Sequence, residues 1–489
     1  MKLSVMVADS LFVPPEWDRE FNHIHADSRD VAPGDVFIAR AGTSAHGQEF
    51  IQAAVDAGAV AVLAEGIDAF YCLGATPVFP VADLTRYLPQ WLGVRYSGHQ
   101  TVTTYGVTGT NGKSSVTQFI AQLSDARGKR CGVIGTLGNG VWPNLESTRN
   151  TTPDICVVYR LLDQFANAGV QAAAIEVSSH GLHQGRVAGI KFDVAVLTNL
   201  TQDHLDYHGD MESYFAAKAQ LFSQDVSESA VINIDDEYGR RLLEKADLCS
   251  RHLTLSSSSV NSPDVLIDKV SHQADGMSAE LFTPWGKSRI YLPMLGDFNV
   301  ANVTAALTAL AVTGEDFSTT ANCTDSLRSV AGRMALYTRP DSARAVVDFA
   351  HTPDALERVI KSLQAVASPL TVVFGCGGDR DASKRPLMAI AASLADQVWV
   401  TDDNPRTESA EKIFNDISSV DEALDFYYIH DRSSAITQAI EKTAPSGVVL
   451  IAGKGHENYQ EIMGIRNEYS DAAVLLSLGY RSAGGDHVA

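Results

Sequence analysis

The stretch GVTGTNGKS at residues 106–114 decides the fold class of this 489-residue chain. An apolar run, TYGV at 104–107, leads into it, and a helical pattern, FIAQL at 119–123, follows it, so the sequence predicts a strand, a glycine loop and a helix. Glycine lets backbone N–H groups approach a phosphate closely, and the helix that follows offers its positive N-terminus. Lys113 would then contact the β- and γ-phosphates of a nucleotide.

The spacing of this loop departs from the common phosphate loop, whose first glycine stands five positions before the second. The residue five before Gly112 is Val107, and both Gly106 and Gly109 miss the required place. A plain glycine-rich turn is the alternative, but the flanking strand and helix favour nucleotide binding. We therefore predict a nucleotide-binding loop, with a hydroxyl from the serine pair 114–115 available to Mg²⁺.

Strand and helix patterns alternate along the chain, which predicts an α/β fold with mostly parallel sheets. Buried parallel strands are predicted by the near-continuous apolar runs at 172–177, 194–198, 345–348, 370–374, 398–401 and 448–451. A shorter series, with strands at 35–39 and 59–63, precedes a boundary near residue 98. Together with the length, this predicts three domains: 1–98, 99–331 with a P-loop-type sheet, and 332–489 with a Rossmann-like sheet.

Composition excludes several classes of partner. Lys and Arg total 38 against 59 Asp and Glu, and the formal net charge of −21 repels phosphate backbones and anionic lipid. No apolar run reaches the roughly 18 residues of a membrane span. The six cysteines are scattered without a CxxC motif, which is typical of a reducing compartment. We expect a cytoplasmic protein with no nucleic-acid partner and no membrane insertion.

Two polar residues at predicted strand ends are candidate Mg²⁺ ligands. Glu176 ends one apolar run and His204 follows the next, and ligand sites of open α/β sheets collect at the carboxyl ends of strands. A buried glutamate is costly unless it meets a cation. For His204 the alternatives are a satisfied structural histidine or, with His208, a zinc site, which the missing third soft ligand disfavours. Lys218, in a helical stretch, is predicted from the sequence alone to be a solvated surface lysine.

The variant loop TGTNGKSS at 108–115 resembles the ATP-binding loop of the Mur ligase family, which joins amino acids to UDP-muramoyl precursors of peptidoglycan. Folylpolyglutamate synthase carries a similar loop. The resemblance covers nearly the whole chain in colinear order, apart from the serine pair 114–115, where many relatives carry threonine. It implies an ATP-dependent, amide-forming ligase with ATP and Mg²⁺ as cofactors, an acyl-phosphate intermediate, small-molecule substrates only, and a monomer.

The resemblance assigns roles in the nucleotide and metal sites. Lys113, Lys218 and His204 are catalytic, and Lys218 is carbamylated so that it serves the metal with Ser114, Ser115, Glu176 and His204. ATP is bound by Gly109, Thr110, Asn111, Gly112, Lys113, Ser114, Ser115, Asn299, Asn302, Arg333, Asp348 and His351.

The resemblance also assigns the acceptor site. Residues 1–98 are expected to bind the UDP-sugar through the stretches at 27–37 and 41–47, for which turn chemistry is the alternative because Pro-Gly and Gly-Thr-Ser commonly form loops. The UDP-muramoyl-peptide contacts are Ser28, Thr43, Ser44, Ala45, Asn150, Thr151, Thr152, Ser178, Gln184 and Arg186.

The tetrapeptide Asp403-Asn404-Pro405-Arg406 resembles the one found in the branch of the family that adds meso-diaminopimelate to UDP-N-acetylmuramoyl-L-alanyl-D-glutamate, and the resemblance implies the same activity here. Diaminopimelate differs from lysine by a second carboxylate, which an arginine fork grips in a bidentate manner. Arg380, Gly453 and Glu457 complete the pocket by resemblance, with Glu457 on the distal ammonium. From the residues alone, the tetrapeptide is also compatible with a helix cap and turn, and Glu457 with a helix start.

Two other functions remain open from the sequence. One is a related ligase that adds lysine to the same acceptor or glutamate to folate. The other is an ATP-hydrolysing binding module that switches partners, which is disfavoured because a switch has no need of an arginine fork for a free carboxylate.

Overall fold

The computed structural model describes residues 1–8, 10–42, 46–273, 276–419 and 426–482. The predicted acceptor contacts Thr43, Ser44 and Ala45 lie outside these residues. Three large sheets follow one another along the chain, and helices pack on them. The α/β class and the mostly parallel sheets predicted from the sequence are therefore confirmed. None of the helices in the described ranges is long and apolar enough to cross a bilayer.

The N-terminal sheet has five strands in the spatial order β1-β2-β3-β5-β4, and only β4 runs antiparallel to its neighbour. Its elements are β1 (Ile24–His25), β2 (Val36–Ala39), β3 (Ala61–Ala64), β4 (Tyr71–Leu73), β5 (Thr76–Pro80), α1 (Leu3–Met6), α2 (Ile51–Asp56) and α3 (Leu84–Arg95). The strands predicted at 35–39 and 59–63 correspond to β2 and β3, which are buried on both faces.

The central sheet has eleven strands in the order β16-β15-β14-β13-β12-β11-β6-β10-β7-β8-β9. Its strands are β6 (Thr103–Thr108), β7 (Cys131–Gly135), β8 (Gly138–Val141), β9 (Asn144–Glu146), β10 (Ala172–Glu176), β11 (Phe192–Leu197), β12 (Ser227–Asn233), β13 (Arg251–Ser256), β14 (Val265–Gln273), β15 (Gly276–Thr283) and β16 (Gly286–Leu292). Its helices are α4 (Lys113–Ala126), α5 (Ile155–Asn167), α6 (Ser179–His183), α7 (Leu205–His208), α8 (Met211–Ala219), α9 (Glu237–Leu242), α10 (Asp297–Val312) and α11 (Phe317–Ala321). Strand β6 runs parallel between β10 and β11, so the loops after these three strands leave the sheet at one edge.

The C-terminal sheet has seven strands in the order β21-β20-β19-β22-β18-β17-β25, parallel except where β17 pairs with its two neighbours. Its elements are β17 (Ala335–Thr338), β18 (Arg344–Asp348), β19 (Leu370–Phe374), β20 (Gln397–Val400), β21 (Tyr427–Tyr428), β22 (Val448–Ala452) and β25 (Arg481–Ser482), with α12 (Pro353–Gln364), α13 (Lys384–Ala392), α14 (Ala410–Ser418), α15 (Arg432–Lys442) and α16 (Asp471–Ser477). A separate hairpin joins β23 (Tyr459–Ile462) to β24 (Ile465–Glu468).

The apolar cores connect the three sheets unequally. Ile38 and Leu63 of the N-terminal sheet belong to the same buried cluster as Tyr159 of α5 and Phe192 of β11. The two faces of the C-terminal sheet instead pack in two separate clusters. Leu295, from the segment before this sheet, is buried in one of them. The N-terminal and central sheets therefore share a core, whereas the C-terminal sheet meets them mainly across a polar cleft.

Candidate active site

A cleft of about 620 Å³ lies between the carboxyl edges of the central and C-terminal sheets. One wall is formed by the glycine loop after β6 and by the segments after β10 and β11. The opposite wall is formed by the segments after β19, β20 and β22. Predicted site residues that line the cleft are Thr110, Asn111, Gly112, Lys113, Ser114, Thr151, Glu176, His204, Arg333, His351, Arg380, Asp403, Asn404, Arg406, Gly453 and Glu457.

The glycine loop folds tightly onto the end of β11. Gly109 has φ +150° and a Cβ there would collide with Thr198 Oγ1, while Gly112 has φ +89° and a Cβ there would lie 2.7 Å from Asn302 Oδ1. The N–H of Thr110 donates to the carbonyl of Asn199 at 2.8 Å. Glycine is therefore required at both positions even though their spacing departs from the common loop.

Two lysines converge on this loop, the half-buried Lys113 and the buried Lys218. Lys113 Nζ donates to the carbonyls of Gly109 and Thr110, each at 2.9 Å, and Lys218 Nζ donates to the Gly109 carbonyl at 2.8 Å. Burial lowers the pKa of both amines, and the neighbouring charge of Lys113 lowers the pKa of Lys218 further. Lys218 is only 2% exposed, so the surface location predicted from its sequence alone is wrong.

Glu176 collects hydroxyl and amide donors at the end of β10. Its Oε2 accepts from Ser114 Oγ at 2.9 Å and from Thr136 Oγ1 at 3.1 Å, and its Oε1 accepts from the Thr136 N–H at 2.9 Å. Burial raises the pKa of Glu176, and the Lys113 ammonium partly offsets that shift. A carboxylate and a serine hydroxyl thus meet beside the phosphate loop, and such oxygens are the ligands that Mg²⁺ prefers.

His204 stands at the start of the one-turn helix α7, with the left-handed φ of +56°. Its Nε2 lies 3.6 Å from Asp203 Oδ2, and burial lowers the pKa of its imidazole to about 4, so the ring is neutral near pH 7. His208 ends the same helix, and its Nε2 is 2.9 Å from Ser179 Oγ. Within the described ranges, no group of three or more His, Cys, Asp or Glu side chains is arranged to hold a metal ion.

A smaller cavity of about 70 Å³ adjoins the cleft behind the glycine loop. It is lined by Asn111, Gly112, Ser115, Asn199, Phe298, Asn302, Arg333, Asp348, Phe349, Ala350, Ala355, Arg358 and Val359. The Arg333 guanidinium lies 4.4 Å above the Phe349 ring, and Asp348 accepts from the N–H groups of Met334 and Ala350. Asn299 lines neither cavity, because its side chain is buried and donates to the Leu295 carbonyl at 2.8 Å.

The predicted peptide-binding residues around β10 form one hydrogen-bonded network. Thr152 Oγ1 donates to the Glu176 carbonyl at 2.7 Å and accepts from the Ser178 N–H at 2.9 Å. Arg186 donates to the Thr152 carbonyl at 2.7 Å and, through two nitrogens, to Gln184 Oε1. The guanidinium is therefore held in place from two sides.

The remaining predicted acceptor contacts lie on two neighbouring surface turns. Ser28 starts a short 3₁₀ turn, and Asp27 in front of it pairs with Arg149 at 3.3 Å. Asn150 is exposed beside that pair, and Thr151 Oγ1 lies 2.9 Å from Thr136 Oγ1 in the cleft. The N-terminal sheet and the peptide-binding network therefore meet at this point.

The tetrapeptide Asp403–Arg406 follows β20 and is held by the hairpin β23–β24. Arg406 has φ +52°, its N–H donates to the Glu461 carbonyl, and its carbonyl accepts from the Met463 N–H. Its Nη1 donates to the Gly378 carbonyl at 2.7 Å, on the segment that carries the exposed Arg380. Helix α14 begins only at Ala410 with Ser409 as its cap, so the helix-cap alternative for the tetrapeptide is wrong.

Glu457 lies against the tetrapeptide in the same pocket. Its Oε2 accepts from Asn404 Nδ2 at 2.9 Å, and the chain continues into β23 rather than into a helix, so the helix-start alternative is wrong. Burial and the neighbouring Asp403 raise the pKa of its carboxyl. Gly453 has φ +115°, and a Cβ there would lie 2.6 Å from Asp403 Oδ2.

Three further residues line the cleft, and a fourth lies beneath it, although none of them was assigned a role from the sequence. Asp203 Oδ2 lies 3.6 Å from His204 and 4.0 Å from His351 of the opposite wall; burial raises its pKa, but these imidazoles lower it below the usual range. The His180 ring lies 4.9 Å from that of His204. Thr136 binds Glu176, and Lys454 is fully buried beneath the amino-acid pocket. Thr136, His180 and Asp203 follow strands β7, β10 and β11, which lie close together in the central sheet. Their positions shortly after predicted strands are therefore the sequence signal that could have identified them.

Comparison with known proteins places this geometry in a family. Three family models match: "Mur ligase family, catalytic domain" at 20–76, "Mur ligase middle domain" at 107–310, and "Mur ligase, glutamate ligase domain" at 332–455. A UDP-N-acetylmuramoyl-L-alanyl-D-glutamate–2,6-diaminopimelate ligase of Pseudomonas aeruginosa is 45% identical, over 95% of this chain and 96% of its own. The ligase of that name from Neisseria meningitidis serogroup A is 41% identical, over 92% and 93%.

Solved structures agree with these matches. A structure of a ligase with the same printed name aligns with a TM-score of 0.69 at 38% identity and covers 98% of each chain. The MurF ligase from Thermotoga maritima shares the fold with a TM-score of 0.66 at 18% identity, covering 90% of this chain and 95% of its own. The chain belongs to the Mur ligase family.

Proposed function

We propose that the chain is an ATP-dependent ligase that adds meso-diaminopimelate to UDP-N-acetylmuramoyl-L-alanyl-D-glutamate during synthesis of peptidoglycan precursors. One observation carries the proposal: the phosphate loop with Lys113 and the pocket with Arg406 and Glu457 line the same cleft. The printed names of relatives more than 40% identical over nearly the whole chain support it.

Each substrate has its own domain in this account. Residues 1–98 bind the UDP-sugar, 99–331 bind ATP, and 332–489 bind the amino acid. Three separate sheets and three separate family-model matches support these divisions. We take a monomer as the working unit, and the scattered cysteines support a cytoplasmic location.

The nucleotide binds with its phosphates on residues 109–115 and its base side in the smaller cavity. Lys113 neutralises the transferring phosphate, and Asn302, Arg333, Asp348 and His351 contact the nucleotide from the surrounding walls. These four residues line one or both of the two cavities, which supports this placement. Asn299 acts by holding the start of α10, as its bond to Leu295 indicates.

The acceptor peptide lies along the network of Thr152, Ser178, Gln184 and Arg186, with Ser28, Asn150 and Thr151 toward the sugar. Its γ-carboxylate attacks the γ-phosphorus of ATP, which forms an acyl phosphate and releases ADP. The amine of diaminopimelate then attacks the carbonyl carbon, the C–N bond forms, and phosphate leaves. The protein contributes positioning and charge neutralisation rather than a covalent intermediate of its own.

The residues beside the loop fit Mg²⁺, because the Ser114 hydroxyl and the Glu176 carboxylate already converge at 2.9 Å and the neutral His204 lies on the same cleft. Ser115 provides a second hydroxyl. Mg²⁺ would offset the negative charge that builds up between the γ-phosphate and the acceptor carboxylate. Lys218 serves as a carbamate: burial favours its neutral amine, which is the form that adds CO₂, and Lys113 stands beside it to pair with the product.

The diaminopimelate pocket uses the guanidinium groups of Arg380 and Arg406 for the second carboxylate and Glu457 for the distal ammonium. Asp403, Asn404 and Gly453 shape the pocket around them, and the buried Pro405 fixes the backbone between Asn404 and Arg406. Lysine lacks the second carboxylate, so it would leave the two guanidinium groups without a carboxylate to bind.

Incorporation of radiolabelled meso-diaminopimelate into the UDP-muramoyl-dipeptide tests the proposal. Purified protein, ATP and Mg²⁺ should give a labelled tripeptide product, whereas labelled lysine under the same conditions should give little. Efficient incorporation of lysine, or of glutamate into folate, would identify another ligase of the family instead. Phosphate release without any new amide would favour an ATP-driven switch.

A further inference from the structure

Lys454 is fully buried directly beneath the amino-acid pocket, in the segment that follows β22. Its Nζ donates to Asn404 Oδ1 at 2.9 Å and to the Tyr459 carbonyl at 2.8 Å, and it lies 3.5 Å from Glu457 Oε2. Asp403 Oδ1 is 3.6 Å away. A lysine is almost never buried unless it is paired, and here every donor of the ammonium faces an oxygen inside the protein. Lys454 does not line the cleft and therefore has no surface for a substrate.

The contact with Lys454 fixes the orientation of the Asn404 amide. Asn404 Oδ1 accepts from Lys454 Nζ and also from the Glu461 N–H, each at 2.9 Å. With both donors on the oxygen side, Nδ2 faces the other way, where it donates to Glu457 Oε2 at 2.9 Å. Without Lys454, only the Glu461 N–H would remain to oppose the flipped Asn404 amide, in which Oδ1 and Nδ2 exchange places.

The same lysine controls the carboxylate of Glu457. Oε2 is held by Asn404 and approached by Lys454, which leaves the other oxygen for a ligand in the cleft. The charged groups that face Glu457 are Lys454 and Asp403, with the hydroxyl-bearing Tyr459 beside them. Burial and Asp403 raise the pKa of Glu457, whereas the Lys454 ammonium lowers it and so favours the ionised form.

We propose that Lys454 is a positioning residue for amine recognition, which holds the Asn404 amide and the Glu457 carboxylate in the arrangement that receives the distal ammonium of the diamino acid. Lys454 acts without touching the substrate. The inference rests on the proposed function, because it takes a diamino acid as the occupant of this pocket.

Lys454→Met tests the inference, because methionine fills a similar volume without charge or donors. In the full-length enzyme assayed with UDP-muramoyl-dipeptide, ATP and labelled diaminopimelate, KM for diaminopimelate should rise at least about tenfold. KM for ATP and for the dipeptide should stay within about twofold. The acid limb of kcat/KM for diaminopimelate should move to higher pH, because Glu457 loses its cationic neighbour. Lys361→Met, which changes an exposed lysine of α12, is the matched control and should match wild type.

A double variant separates positioning from general destabilisation. If Lys454 acts through Glu457, adding Lys454→Met to Glu457→Gln should raise KM for diaminopimelate by less than about threefold further. An unchanged KM in Lys454→Met, or an equal rise in KM for ATP, would overturn the inference. If Lys454→Met does not fold, Lys454→Gln replaces it, because glutamine keeps a hydrogen-bond donor for Asn404. The same changes in KM for diaminopimelate and for ATP then decide the inference. Wild-type protein that fails to incorporate diaminopimelate would instead refute the proposed function.

Discussion

The phosphate loop and the amino-acid pocket form opposite walls of one cleft, and both lie at the carboxyl ends of parallel strands, but they are built in different ways. The loop is one continuous segment, residues 108–115, shaped by two glycines and by its contact with the end of β11. The pocket is assembled from three separated segments after β19, β20 and β22, and the hairpin β23–β24 clamps its backbone at Arg406.

This difference separates two kinds of recognition. In the proposed function the loop presents backbone N–H groups and one lysine to a phosphate that every ATP molecule carries, so it needs only a local backbone shape. In the proposed function the pocket must distinguish diaminopimelate from lysine, and we propose that it does so with side chains oriented by buried partners such as Lys454. Substitutions in the loop should therefore lower the overall turnover rate, whereas substitutions in the pocket should raise KM for diaminopimelate alone.

Lys113→Met should have the largest effect, because it removes the ammonium that neutralises the transferring phosphate. We expect kcat to fall by about 10²–10³-fold in a phosphate-release assay with all substrates present. Lys129→Met changes a half-exposed lysine of the same domain and should retain wild-type turnover. A Lys113→Met enzyme within tenfold of wild type would contradict the assignment of this loop.

Arg406→Lys should affect the pocket alone. The change keeps the positive charge but removes the planar fork, so KM for diaminopimelate should rise by about 10–100-fold while KM for ATP stays the same. Steady-state kinetics with each substrate varied in turn measures this. An equal rise in both constants would show that the two walls are not independent.

Gly109→Ala should alter the shape of the loop without changing its charge. The added Cβ collides with Thr198 Oγ1 at a backbone angle that alanine rarely adopts, so we expect a loss of about 1–3 kcal/mol in the free energy of unfolding and a several-fold higher KM for ATP. Gly128→Ala is the control, because its φ is also positive but its Cβ would meet open space. Equal effects of the two substitutions would argue against the steric explanation.

The smallest expected effect is a difference in pH dependence between KM for diaminopimelate and KM for ATP. Burial and Asp403 raise the pKa of Glu457, so this carboxylate takes up a proton at a higher pH than a free glutamate and then no longer attracts an ammonium group. As the pH is lowered, KM for diaminopimelate should rise a few-fold before KM for ATP changes. In Glu457→Gln this rise should be absent, and its persistence there would assign it to another group.

Local sequence predicted the parts of the molecule that local structure determines. The strand–loop–helix around Gly109 and Gly112, the strand ends at Glu176 and His204, and the parallel α/β class all follow from short patterns, and the observed elements agree with them. The roles of individual site residues stay predictions until the substitutions above are measured.

Contacts between distant segments account for what the sequence alone missed. Lys218 has the pattern of a surface helix residue, yet its Nζ is buried against the Gly109 carbonyl, 109 positions away. Lys454 reaches Asn404 across 50 positions, and Asp203 approaches His351 from the facing sheet. Because no single segment contains both partners of these contacts, spacing and periodicity cannot reveal them.

Phosphate release measured with each substrate omitted in turn tests the central claim most directly. The account holds that acceptor, ATP and diamino acid react in a single cleft, so release should require all three and equal the tripeptide formed, mole for mole. Steady release at the same rate without the acceptor dipeptide and the diamino acid would contradict it.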